Sequence, residues 1–405
     1  MRVRLAPALR PLGESLSPVP PLFEADGPQV ILGELRPDDG LAQPIAATPH
    51  SLFGPRGALL CGAGGPLWVC DTGHHRLLGW SALPDADGAA ADWVIGQVDA
   101  FHEGRNGKGL ASSASLNVPT GIARCGAGMA VADAWNHRIL IWHDLPRRNN
   151  AAADLVLGQA DFAATDANRG APAPSAGSLF WPYGVHWDGA RLWVADSGNR
   201  RVLMWDGMPA TNGQPADLVL GQPDFSSRNE NGGGAPGAAS MRWPHTVYHW
   251  QDRLLLADAG NNRIMVWSQL PETDNTACNF VLGQGDFSSV DHNRALYWPN
   301  AGSLNMPYGV AAAGNLMIVA DTANSRLLGW HADACTAGGP AQFLAGQPDF
   351  RAKGDNRWQL PARDSFCWPY AAGVHGDRVV VADSGNNRIS IWCVARSELD
   401  DSMCQ

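Results

Sequence analysis

The chain has 405 residues, a formal charge of −10, 46 Gly, 29 Pro and eight Cys. The acidic balance disfavours a surface built to neutralise phosphates, the Gly and Pro content favours many turns over long helices, and no apolar run of about 18 residues is present to cross a membrane as a helix. No C-x-x-C spacing occurs and no signal-like apolar segment follows Arg2, Arg4 and Arg10, so reduced, buried thiols and a cytoplasmic location are expected.

In chain order, residues 1–28 are Pro-rich and aperiodic, which predicts an extended arm that lies on the rest of the chain or is partly mobile. Residues 30–34 are the first copy of an apolar strand that returns at 93–97, 155–159, 218–222, 280–284 and 343–347. The first copy ends Gly-Glu and the others end Gly-Gln. A second element carries Pro55, Pro119, Pro182, Pro244, Pro307 and Pro369 behind a Ser-apolar pair; Pro forfeits no ladder bond at the start of a strand, so each marks a strand entry.

The third element is a hairpin. Its Asp recurs as Asp71, Asp133, Asp196, Asp258, Asp321 and Asp383, at spacings of 62 or 63 residues, with an Arg five positions later and a Trp nine positions later. Gly and Asn between the two apolar runs supply the turn. The Asp is expected to cap turn amides and to pair with the Arg across the hairpin. The Asn three positions after it (Asn136, Asn199, Asn261, Asn324, Asn386; His74 in the first copy) is expected to tolerate the left-handed conformation. A pair present in every copy reads as structural, not catalytic.

Strict recurrence at this period signals a repeat architecture. Six units of four antiparallel strands predict an all-β fold, a six-bladed β-propeller over residues 29–394, flanked by the 1–28 arm and a 395–405 tail. The last unit stops after Trp392 with three strands, and a surplus strand lies at 30–34. That N-terminal strand is therefore expected to complete blade six and remove an open edge. Hairpins such as Val-Ala-Asp-Ser-Gly-Asn-Asn-Arg-Ile at 381–389, with the Pro-x-Gly entry of Pro182, Tyr183 and Gly184, resemble NHL repeats over roughly residues 29–394. The resemblance implies a propeller but spans enzymes, RNA-binding domains and protein scaffolds.

Constant positions build such a fold, so function is sought where equivalent exposed positions vary. Directly after each strand-entry Pro stand Arg56, Thr120, Tyr183, His245, Tyr308 and Tyr370, which register places around one mouth of the central channel with Arg56 opposite His245. A cation, an imidazole, three phenols and a hydroxyl suit a small anionic or carbonyl ligand. Trp181, Trp243 and Trp368, one residue before the Pro, are expected to add aromatic walls, and the long interblade loops offer a surface for a partner protein. His186, His249 and His375 lack metal spacing, and the Asp after each Gly-Gln (Asp99, Asp161, Asp224, Asp286, Asp349) reads as structural.

No complete catalytic set is visible, so the leading expectation is a non-catalytic binding or scaffold propeller with no cofactor or metal. The alternative is a propeller-type lyase or hydrolase with a metal or oxyanion site in the channel. Peptidyl-hydroxyglycine amidating lyases resemble NHL propellers, and that resemblance implies zinc-holding His residues after equivalent prolines and a catalytic Arg. His245 alone matches the first and Arg56 the second, whereas a catalytic zinc takes three protein ligands. RNA binding, which the resemblance also permits, ranks third because of the acidic balance.

Overall fold

The computed structural model describes residues 19–33 and 46–395. The first 18 residues of the arm, Glu34 at the end of its strand, the tail beyond Ala395 and Cys404 lie outside the described residues. Six four-stranded antiparallel sheets make six blades; five have their strands in sequence order from inside to outside, and the sixth has the first strand of the chain at its outer edge. Blade three, for example, runs Pro182–Trp187, Arg191–Asp206 as two strands about the turn Ser197–Asn199, then Leu218–Leu220. Among the described residues the only helical elements are short 3-10 turns. The fold is a six-bladed β-propeller.

Blade six takes its fourth strand from the N-terminus: Val30–Leu32 pairs with Arg388–Cys393, in the register Val30 to Ile391 and Leu32 to Ile389. The arm before it is also used. Leu22 is fully buried, its amide donates to the Leu344 carbonyl, and Phe23 stacks on Trp392 at 4.8 Å.

The core is a set of wedges between neighbouring blades. Ile139, Leu155 and Leu157 of blade two pack with Leu192, Val194 and Trp205 of blade three, while Trp193 and Met204 face blade four. Both faces of each sheet are thus covered, which explains why the second and third strands read as unbroken apolar runs rather than alternating ones. Close approach at the axis explains the Pro-x-Gly entry. A Cβ on Gly121 or Gly184 would strike the carbonyl of the next blade's residue after Pro, Tyr183 or His245. In blade four, Thr246 stands where that Gly would be and its hydroxyl donates to the matching Tyr308 carbonyl at 2.7 Å.

The repeated Asp and Arg form a buried scaffold and pair across the hairpin as expected, but the amide that the Asp captures is not the expected one. Asp196 accepts the Phe180 amide at 2.7 Å through one oxygen, and Asn199 and Arg201 at 2.7 and 2.8 Å through the other. The amide it captures belongs to the strand-entry segment, not to the turn. Asn199 is spent on that carboxylate and on Asn168, and the left-handed residue is the next one, Arg200, at φ 57°. The same place is taken by His75, His137, Asn262, Ser325 and Asn387. Arg201 also donates to the carbonyls of Ser175, Ser178 and Phe225, tying the entry segment and the outer loop to the hairpin. The Asp residues after Gly-Gln cap local amides, as Asp224 does for Ser226 and Ser227.

Candidate functional site

The inner strands bring the post-proline residues together at the axis, and their side chains touch in a closed circuit. Arg56 donates to the Tyr183 hydroxyl at 3.1 Å, Tyr183 lies 4.5 Å from His245, and His245 stacks on Tyr308 at 4.2 Å and 14°. Tyr308 meets Tyr370 at 4.6 Å, and the Arg56 guanidinium returns over the Tyr370 ring at 4.8 Å. Thr120 stands out of the circuit. It is buried, and its hydroxyl donates to the Tyr183 backbone carbonyl at 2.9 Å, leaving Arg56 room to reach past it.

Five groups at this spacing, set as a regular pentagon, lie roughly 4 Å from the axis, the contact distance of carbon atoms, so they plug the channel rather than ring an open mouth. Tyr308 is buried, while Arg56, Tyr183, His245 and Tyr370 touch one another and keep intermediate exposure. Trp181, Trp243 and Trp368 do not join them. None lines the channel, and Trp181 and Trp243 stand exposed on the loop-rich face.

Beneath the plug lies a cavity of about 400 Å³. Its walls are mainly apolar, from residues such as Leu59, Ile122, Val185, Val247, Val310 and Val374. Polar residues interrupt them, Thr246 and the pair His186 and Tyr248, whose rings lie 4.6 Å apart. The far end holds Cys61, Arg124, Trp187 and His375. Arg56 and Arg124 are the charged residues of the lining, and no Asp or Glu is among them. The Arg56 Nε is buried without a hydrogen-bond partner.

Burial fixes the protonation of this site. It lowers the His245 and His186 pKa values to about 4, helped at His245 by the nearby Arg56 charge and at His186 by His249. The His245 Nδ1 lies 3.0 Å from the Trp243 carbonyl, to which it donates, so the neutral ring keeps Nε2 as an acceptor. Burial pushes the Tyr308 and Tyr370 hydroxyls up, so both remain donors at neutral pH. The plug therefore offers one cation, neutral phenols and one acceptor. Among the described residues no three His, Cys, Asp or Glu side chains are grouped to hold a metal ion.

Sequence reasoning placed the post-proline set at the axis but left out the second tier. His186 and Tyr248 both sit four residues after their Pro, a shared offset that marks them in retrospect.

No family model matches the chain, and no curated protein matches it. Among solved structures it is similar to Raptor from Chaetomium thermophilum, with a TM-score of 0.46 and 9% identity over 92% of this chain; the chain spans 29% of that protein's length. It is also similar to hydrazine synthase from Kuenenia stuttgartiensis, with a TM-score of 0.49 and 11% identity over 90% of this chain and 99% of that one. A third likeness is to the computationally designed Ika8 protein, with a TM-score of 0.40 and 10% identity over 91% of this chain and all of that one.

Proposed function

We propose that the protein is a non-catalytic binding propeller of the NHL-repeat type that holds a small anionic or carbonyl ligand in its channel. The observation that carries this reading is the cavity of about 400 Å³ capped by Arg56, a partly buried cation with no carboxylate beside it. That volume falls within the range of small-molecule sites, and a charge so placed favours an incoming acceptor over water. The Tyr308 and Tyr370 hydroxyls supply donors and His245 an acceptor. The donor set lacks the three ligands of a catalytic zinc, which favours binding over the lyase alternative.

A partner protein on the loop-rich face is part of the same reading. Among the described residues, all large apolar side chains that stay exposed, apart from Met208, fall in the strand-entry segments, hairpin turns or interblade loops, among them Trp135, Trp181, Trp243 and Trp358. Exposed apolar groups gathered on one side mark interaction surfaces. A cytoplasmic setting fits the thiols, of which Cys70, Cys125, Cys278 and Cys335 are buried.

Ligand-observed NMR with a set of small carboxylates and neutral carbonyl compounds tests the channel. Hits that bind the wild type and are lost in Arg56→Met support the reading. Hits unchanged in both Arg56→Met and His245→Ala would move the site to the outer loops.

A further inference from the structure

We infer that the channel takes an amphipathic monocarboxylate, and that it enters from the face opposite the interblade loops with its carboxylate leading. This rests on the channel being the ligand site and adds the chemical class and the route. The route follows from the plug: contacts from Arg56 through Tyr183, His245, Tyr308 and Tyr370 and back to Arg56 close the loop-rich end. The other end is framed by Arg124 and His375, both exposed, with Cys61 and Trp187.

The ligand class follows from the lining. Apolar walls without a carboxylate, closed at the blind end by a cation whose Nε lacks a partner, would pair a carboxylate head with Arg56 and cover a hydrocarbon or aryl tail. A cationic head would meet two arginines and no acid. A neutral alcohol would leave the Arg56 charge uncompensated. Arg124 at the open end gives the anion a local attraction on an acidic face. Among the described residues, turns and strand ends on that side, with Glu24 and Asp26 beside them, hold fourteen acidic and six basic residues, whereas the entry segments, turns and interblade loops of the other side hold eleven of each, leaving aside the buried Asp–Arg pairs and the Asp87–Arg363 pair that links the two sets.

The test is stopped-flow and calorimetric binding of sodium octanoate to the full chain, with octylammonium and octan-1-ol as matched probes. Octanoate is expected to bind at least tenfold more tightly than either, and Arg56→Met is expected to weaken it at least tenfold. The double variant Arg124→Trp/His375→Trp, at exposed positions that tolerate bulk, should slow association at least tenfold, while Gln359→Ala, at an exposed interblade-loop position on the other face, leaves it unchanged. Added salt should speed association in the wild type by screening the acidic face. Octylammonium binding as well as octanoate, or no octanoate binding beside other Arg56-dependent ligands, overturns the class. Association unaffected by the double variant, with Arg56 dependence kept, overturns the route and leaves the channel reading standing. Absence of any Arg56-dependent ligand is the separate failure of the channel reading itself.

Discussion

Two arginine replacements, Arg201→Met and Arg56→Met, separate what holds the propeller together from what is free to bind. Arg201 is fully buried, lies 2.8 Å from the Asp196 carboxylate and donates to three backbone carbonyls. Its removal leaves Asp196 charged, buried and short of its counterion, a change that costs about 3–5 kcal/mol, with stranded carbonyls adding to it. Arg56 has one hydrogen bond to a phenol and a stacked ring at 4.8 Å, and no carboxylate depends on it. Losing an interaction of that kind costs about 0.5–2 kcal/mol, and relief of an unpaired buried Nε offsets part of it. Urea unfolding followed by Trp fluorescence measures both, compared at equal m-values. A loss in Arg56→Met as large as that in Arg201→Met would refute the distinction and make the plug part of the scaffold.

Deleting residues 1–36 removes the fourth strand of blade six together with Leu22 and Phe23, all buried, and exposes the edge Arg388–Cys393. Thermal unfolding should fall and light scattering should rise through edge pairing; a monomer with unchanged melting would contradict the closure. Burial holds His137, His186 and His245 at about 4, below the roughly 6.5 of the unfolded chain. The unfolded state therefore binds more protons between these values. Stability is full above about pH 6.5 and declines as pH falls toward 4, by up to about 1 kcal/mol per unit for each ring, so urea midpoints at pH 7, 5.5 and 4.5 should step downward. Thiol titration in denaturant should find at least six reactive groups, and two or fewer would remove the basis for a cytoplasmic location. In the native state they should react slowly, because burial pushes Cys125 up to about 12 and Cys278 and Cys335 to about 11.

Much of the fold was legible because each repeat states its strands, turn and entry in fixed order, and the spare strand at the N-terminus declared the closure. The site was legible only at its first tier. Counting alternate residues from Tyr183 along the inner strand points to Val185 and Trp187, but the register shifts between Pro182 and Gly184, and again between Pro244 and Val247 in blade four. The channel wall therefore also takes His186 and Tyr248. Such a bulge is set by packing at the axis, where Gly121 and Gly184 meet neighbouring carbonyls, and period-two reasoning within one blade cannot see it. The plug was hidden for a related reason. It depends on Thr120 being short and turned onto a backbone carbonyl, which lets an Arg on blade one reach a Tyr on blade three.

Variation among repeats is a guide to function only where no partner inside the same blade compensates for it. Trp135 shows the other case. In blades one and three a Phe in the entry segment covers a turn Gly, Phe53 over Gly73 and Phe180 over Gly198, where any Cβ would collide with the ring. Blade two has Asn117 in the Phe position and Trp135 in the Gly position: the small and large members have changed places, so Trp135 restores volume that Asn117 gives up. The residues after the strand-entry Pro vary differently. Arg56, Tyr183, His245, Tyr308 and Tyr370 compensate one another around the axis, across blades, and the sum they reach is a cation without a counterion above an apolar cavity. Packing alone would be met at lower cost by an aliphatic side chain at position 56, since partly burying a guanidinium that has no carboxylate partner is unfavourable. An Arg held there against that cost is the observation on which the proposed anionic ligand rests.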